Sequence, residues 1–281
     1  MSSFFEALQT SSLLQYALLA ALLASIASGI VGAYVVVKRI AFISGSIAHS
    51  VLGGMGFFLW LQRTQGITWA DPLWGALFAA ILSALIIGWI HLNYRQREDA
   101  VIATIWSVGM AIGVLFIAQT PGFNVELSSF LLGNILWVGE QDVLSLLLLD
   151  GAIVITCLLL HKKFLAICFD EEQALLQGLS VKTLYLLMLV LIALSTVILI
   201  QVVGIILAIA MLTLPATIAS LFAGKLSQII CLAIVFNVLF AVTGTALSYE
   251  ANWPAGATIT LVAAGSYLLC LVIKNKRLKT S

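Results

Sequence analysis

Long apolar runs alternate with short polar interruptions along the whole chain. The runs lie near residues 12–36, 40–61, 73–92, 100–118, 141–160, 184–221, 228–247 and 254–273. Most are about twenty residues long, which lets a helix cross the ~30 Å hydrocarbon core of a bilayer. The run 184–221 has 38 residues and as one helix would reach ~57 Å. It therefore predicts two spans that turn near Gln201–Gly204. The apolar residues are continuous rather than alternating, which argues against a β-barrel. The pattern predicts an all-α polytopic membrane protein with about nine transmembrane helices, residues 1–281 forming a single transmembrane domain. Two interruptions are long. Residues 161–183 form one loop, and 119–140 form another that is half apolar, as a short re-entrant or interfacial helix would be.

Composition agrees and excludes a soluble enzyme. The chain is 62% hydrophobic and only 9% charged, with a mean hydropathy of +1.16, whereas a soluble domain is roughly 25% charged. The four cysteines form no CxxC pair, so neither a disulfide framework nor a zinc knuckle is indicated. The first 37 residues lack Lys and Arg, so no cleaved signal peptide is expected. Charge sets the orientation. With the N-terminus outside, 12 of the 13 basic residues fall on the cytoplasmic side, including Lys38, Lys162, Lys225 and the tail, and only Arg63 falls outside. The C-terminus is then cytoplasmic, and 161–183 is the longest cytoplasmic loop. The outer side carries Glu6, Asp71, Glu126, Glu140, Asp142 and Glu250, an entrance that would concentrate cations. No GxxxxGK[ST] loop is present, so energy from ATP would have to come through a partner.

Ionisable residues inside spans are costly to insert and are functional candidates by default. His49 lies in KRIAFISGSIAHSVLGG. Gly45, Ser46, Gly53 and Gly56 share its helix face at ~100° per residue. Such a face admits a neighbouring backbone or a narrow pathway. His49 then reads either as a ligand for a divalent metal, lined by Gly45, Ser46 and Gly53, or as a hydrogen-bonding residue in a helix contact. Asp150, in LSLLLLDGAIVITC, is the second such group. It would join His49 as a ligand if the two spans were neighbours, and is otherwise a polar helix contact. In the loop, FDEEQALLQG places Asp170, Glu171 and Glu172 where a short helix would start, Ala174 within it and Gly178 at its end. It reads as a knob for a partner's groove or as a solvated helix.

These segments resemble the permease subunits of bacterial zinc, manganese and iron ATP-binding-cassette importers. RIAFISGSIAHSVLGG looks like that family's second-span pattern, and FLLGNILWVGEQDV resembles its segment before the fifth span. FDEEQALLQG resembles its coupling loop. VVGIILAIAMLTLPATIASLF and NWPAGATITLV resemble its later spans. The resemblance implies an importer subunit of the inner membrane that moves zinc or manganese, or else iron, into the cytoplasm. It implies a homodimer in the lipid bilayer, fed by an extracytoplasmic metal-binding protein. A cytoplasmic ATP-binding subunit would dock on Asp170–Gly178. The chain itself would hydrolyse no ATP, bind no nucleic acid and hold no tight cofactor, the metal ion being its cargo. His49 looks like the family's intramembrane metal contact. One departure stands out: the family commonly has aspartate four residues before that histidine, and here the position is Gly45. A permease for a metal chelate or cobalamin-like ligand is the first alternative. A secondary cation transporter using Asp150 is the second, although no internal repeat supports it. The absence of HExxH or a Ser/His pairing argues against an intramembrane enzyme.

Overall fold

The computed structural model describes residues 8–94, 98–122 and 138–280. Glu6, Arg95, Arg97, Glu126 and most of the 119–140 loop lie outside them, with the FLLGNILW part of its motif. Ten helices are described: α1 Ser12–Val37, α2 Ala41–Thr64, α3 Pro72–Asn93, α4 Glu98–Gln119, α5 Glu140–Leu159, α6 His161–Phe169, α7 Glu171–Leu176, α8 Val181–Phe222, α9 Leu226–Ala251 and α10 Ala255–Thr280. Eight of these are long and apolar enough to cross a membrane. The longest, α8, is two helices joined across a kink at Gly204, whose φ of +79° only glycine adopts without strain. The two helical segments predicted for this run, and their junction near Gln201–Gly204, are therefore both present.

Helix starts follow the local chemistry. Asp71 caps α3 by accepting a hydrogen bond from the Leu73 amide at 2.8 Å, with Pro72 beside it. Ser11 caps α1 through the Leu14 amide. The hub of the bundle is α8, which packs on α1, α2, α3, α9 and α10. Pro215 lies within α8 and cannot donate a backbone hydrogen bond to the Met211 carbonyl. Asn237 of α9 makes up the deficit: its side-chain amide donates to the Met211 carbonyl and to Ser28 Oγ of α1, each at 3.1 Å. In the hydrocarbon core bulk water does not do this, so one amide satisfies the carbonyl freed by Pro215 and joins three helices. Close approach does the rest. A side chain at Gly32 would collide with the backbone carbonyl of Leu212.

Contacts at the helix ends agree with the predicted alternation of sides. Lys38 meets Ile167 and Glu171, His91 stacks on Tyr185, and Lys274 Nζ donates to the Leu221 carbonyl. Of these, Lys38, Ile167, Glu171 and Lys274 lie in segments that charge assigns to the cytoplasmic side.

Candidate functional site

The imidazole of His49 lies two turns into α2 and is half-buried. It stacks on the indole of Trp106 in α4, with ring centroids 4.2 Å apart and planes 10° from parallel. Trp106 is held in turn by its indole N–H, which points at Met110 Sδ 3.1 Å away. Stacking covers a face of the imidazole but leaves its nitrogens, which bind metals in the ring plane, uncovered. The pair thus fixes the ring without blocking it.

The small residues around His49 divide into two groups. Gly53 and Gly56 meet the backbone of α4: an added Cβ would lie 2.7 Å from the Gly109 carbonyl oxygen and 2.8 Å from that of Gly113. Gly54 and Gly75 bring α2 and α3 together in the same way. Ser46 Oγ donates to the Ile102 carbonyl at 2.9 Å, and Ser50 pairs with Ser83 at 2.7 Å. At Gly53 and Ser46, the face that sequence offered as pathway lining is in contact with α4 within one chain. Gly45 differs. It is buried, yet nothing lies within 4 Å of where its Cβ would be. The space beside His49 is therefore open at the position where the resembled family carries a carboxylate.

Asp150 lies elsewhere in the packing. It is buried on α5, its Oδ2 without a hydrogen-bond partner among the described residues. Helix α5 packs on α1 and α8, whereas α2 packs mainly on α4, α3 and α8. Among the described residues, no group of three His, Cys, Asp or Glu side chains could hold a metal ion.

The 161–183 loop is two short helices at a corner, one more than the sequence suggested. Asp170 caps α7, accepting from the Gln173 amide at 2.9 Å. Gly178, at φ +79°, ends it with hydrogen bonds from Gly178 to Leu175 and from Leu179 to Ala174. Ala174 is buried against the corner. Leu175 and Leu176 project from it, 65% and 88% exposed, and Glu172 is exposed beside them. A groove of about 350 Å³ between α6 and α7 is lined by Leu165, Phe169, Gln173 and Gln177. Glu171 turns inward instead and pairs with Lys38 at the end of α1.

Sequence reasoning missed two residues. Trp106 was one more aromatic in an apolar run, although it lies inside a span rather than at an interface, where tryptophans concentrate. Lys38 was read only as an orientation charge.

The sequence model of the ABC 3 transport family matches residues 10–274. A protein named probable metal transport system membrane protein, from Chlamydia trachomatis, is 50% identical over 258 residues, 92% of this chain and 88% of its own. The manganese transport system membrane protein MntC of Halalkalibacterium halodurans is 31% identical, over 98% of this chain and 91% of its own. A solved structure of PsaBC from Streptococcus pneumoniae in complex with Fab matches with a TM-score of 0.86 and 32% identity, covering 99% of each chain. An inward-facing transporter described as metal-chelate type has the same fold, with a TM-score of 0.69 at 14% identity over 95% of this chain and 88% of its own.

Proposed function

This chain belongs to the ABC 3 transport family, and on that premise we propose that it is the membrane-spanning subunit of an ATP-driven importer that moves a divalent metal ion into the cytoplasm. The observation that carries the reading is His49: a fixed imidazole inside a span, stacked on Trp106, with open space beside it at Gly45. Ion transport needs such a site to be incomplete, because a closed four-ligand cage holds its metal too firmly to release it.

We assign manganese as the first cargo, ahead of zinc and iron. The order follows the relatives rather than donor chemistry: imidazole suits zinc and iron at least as well as manganese, and the cysteines that would favour a softer metal lie on other helices. Relatives named as manganese transport proteins support the same choice. A single chain does not close around half-buried His49, so the pathway is assigned to the contact between two copies, each contributing one histidine. Asp150 is a second polar group for the passage of a cation, acting apart from His49. An extracytoplasmic binding protein delivers the metal. A cytoplasmic ATPase subunit holds the exposed leucines of α7, with Asp170, Glu172 and Gly178 shaping the knob it grips.

Uptake into proteoliposomes containing this chain, its ATPase and its binding protein tests the reading. Manganese, zinc and iron are compared for the wild type and His49→Ala. ATP-dependent manganese uptake that falls at least about tenfold in the variant, as loss of a direct ligand should cause, is the expected outcome. Uptake of a chelate in place of any free ion would overturn it.

A further inference from the structure

We propose that Lys38 is the residue through which the α6–α7 corner moves the α1–α2 corner, and with it the helix that carries His49. The proposal rests on the reading above, in which α6–α7 docks an ATPase. Covalently, α7 leads only into α8 through Gly178–Ser180. Lys38 supplies a lateral route to α2.

Lys38 is the C-cap of α1. Its ammonium donates to the Ile167 carbonyl at 2.8 Å and to Glu171 Oε1 at 2.5 Å. Ile167 belongs to the last turn of α6, whose final carbonyls have no partner within the helix and carry partial negative charge. Glu171 opens α7. One cation thus binds both arms of the corner. The Lys38 side chain is only 15% exposed, so the pair is less screened than an ordinary surface ion pair, and its hydrogen bonds are charge-assisted.

A second contact lies one turn back. The Tyr34 hydroxyl shares a 2.7 Å hydrogen bond with His161 Nδ1, and its ring meets Phe164 edge-on at 5.5 Å. Tyr34 and Phe164 are both buried. Helix α6 is therefore tied to α1 at its first residue and near its last, and cannot slide independently of it.

The connection onward is equally short. After Lys38 the chain turns at Arg39, whose φ is +63°, and the Ile40 amide donates back to the Val35 carbonyl at 3.0 Å. Helix α2 starts at once with Ala41. His49 lies eight residues further, ~12 Å along the axis. A tilt of α6–α7 imposed by a partner would reach the start of α2 through Lys38 without crossing a flexible linker.

Pairwise coupling is measured by a double-mutant cycle rather than by proximity. The complex of this chain with its ATPase and binding protein, in proteoliposomes, would be compared for wild type, Lys38→Met, Glu171→Ala, the double variant and Lys38→Arg. The readouts are metal imported per ATP hydrolysed and co-purification of the ATPase. Each single loss should lower the transport ratio about tenfold while hydrolysis and co-purification persist. The double variant should stay within about twofold of the singles, because the interaction is already broken. Lys38→Arg should keep most of the ratio. If Lys38→Met fails to assemble, Glu171→Ala, at a partly exposed position, decides the question alone. Single variants with the wild-type ratio, or losses that multiply in the double variant, would overturn the proposal. A wild type that hydrolyses ATP without importing metal removes the transport reading and the latch with it. A wild type that imports metal, with variants that match it, overturns the latch alone.

Discussion

Gly45 and Gly54 are nine positions apart on one helix and have opposite surroundings. A methyl group at Gly45 would enter open space, whereas one at Gly54 would run into the backbone carbonyl of Gly75. Backbone cannot step aside as a flexible side chain can, so α2 and α3 would have to separate. Gly54→Ala should lower stability by about 1–3 kcal/mol, and Gly45→Ala by no more than about 0.5 kcal/mol. Thermal unfolding of the two variants in the same detergent checks this; equal melting temperatures would show that the small-residue face is not packed as described. The same contrast explains why glycines alone do not identify a pathway. In sequence Gly53 and Gly45 are alike, and only their neighbours distinguish a helix contact from a space beside an imidazole.

Among the elements, the two corners that bracket Lys38 use the left-handed backbone conformation differently. Gly178 supplies it without a steric penalty, while Arg39 adopts it at φ +63° with a Cβ. The left-handed conformation costs an L residue roughly 1–2 kcal/mol. Gly178→Ala should loosen the end of α7, and Arg39→Gly should be neutral or slightly stabilising at the α1–α2 corner. Hydrogen exchange at the amides of Gly178 and Leu179, which close the last turn of α7, should become faster in Gly178→Ala and stay unchanged in Arg39→Gly. Pro215 and Asn237 show the complementary case, in which a helix keeps its interior proline because another helix satisfies the freed carbonyl.

For the molecule as a whole, the outermost helices are α4, α5 and α10, whose most apolar stretches are only 17–22% buried within the chain. Their free faces are available to lipid or to a second copy, and α4 carries Trp106, which holds His49. The charge-derived topology makes a further prediction. In a cysteine-free background, Gln65→Cys at the end of α2 should react with an impermeant maleimide added to intact cells. Gln177→Cys, beyond α7, should react only after the membrane is opened. Labelling of both positions from the same side would refute an odd number of crossings between them.

What the sequence determined by itself is what hydrophobicity and local backbone chemistry control. Spans show themselves because lipid demands long apolar helices, and the break at Gly204 because 38 apolar residues exceed one bilayer thickness. The Asp170 cap and the Gly178 stop are encoded within a few residues of where they act, so they too were legible. Tertiary structure alone decided which neighbour each intramembrane residue meets. Helical periodicity assigns a residue to a face but does not say which helix covers that face. Gly53 against Gly109, His49 on Trp106, Asn237 completing Pro215, and Lys38 reaching across 133 positions of chain to Glu171 are all contacts between helices. Such contacts depend on the packing order of the bundle, which no local pattern contains.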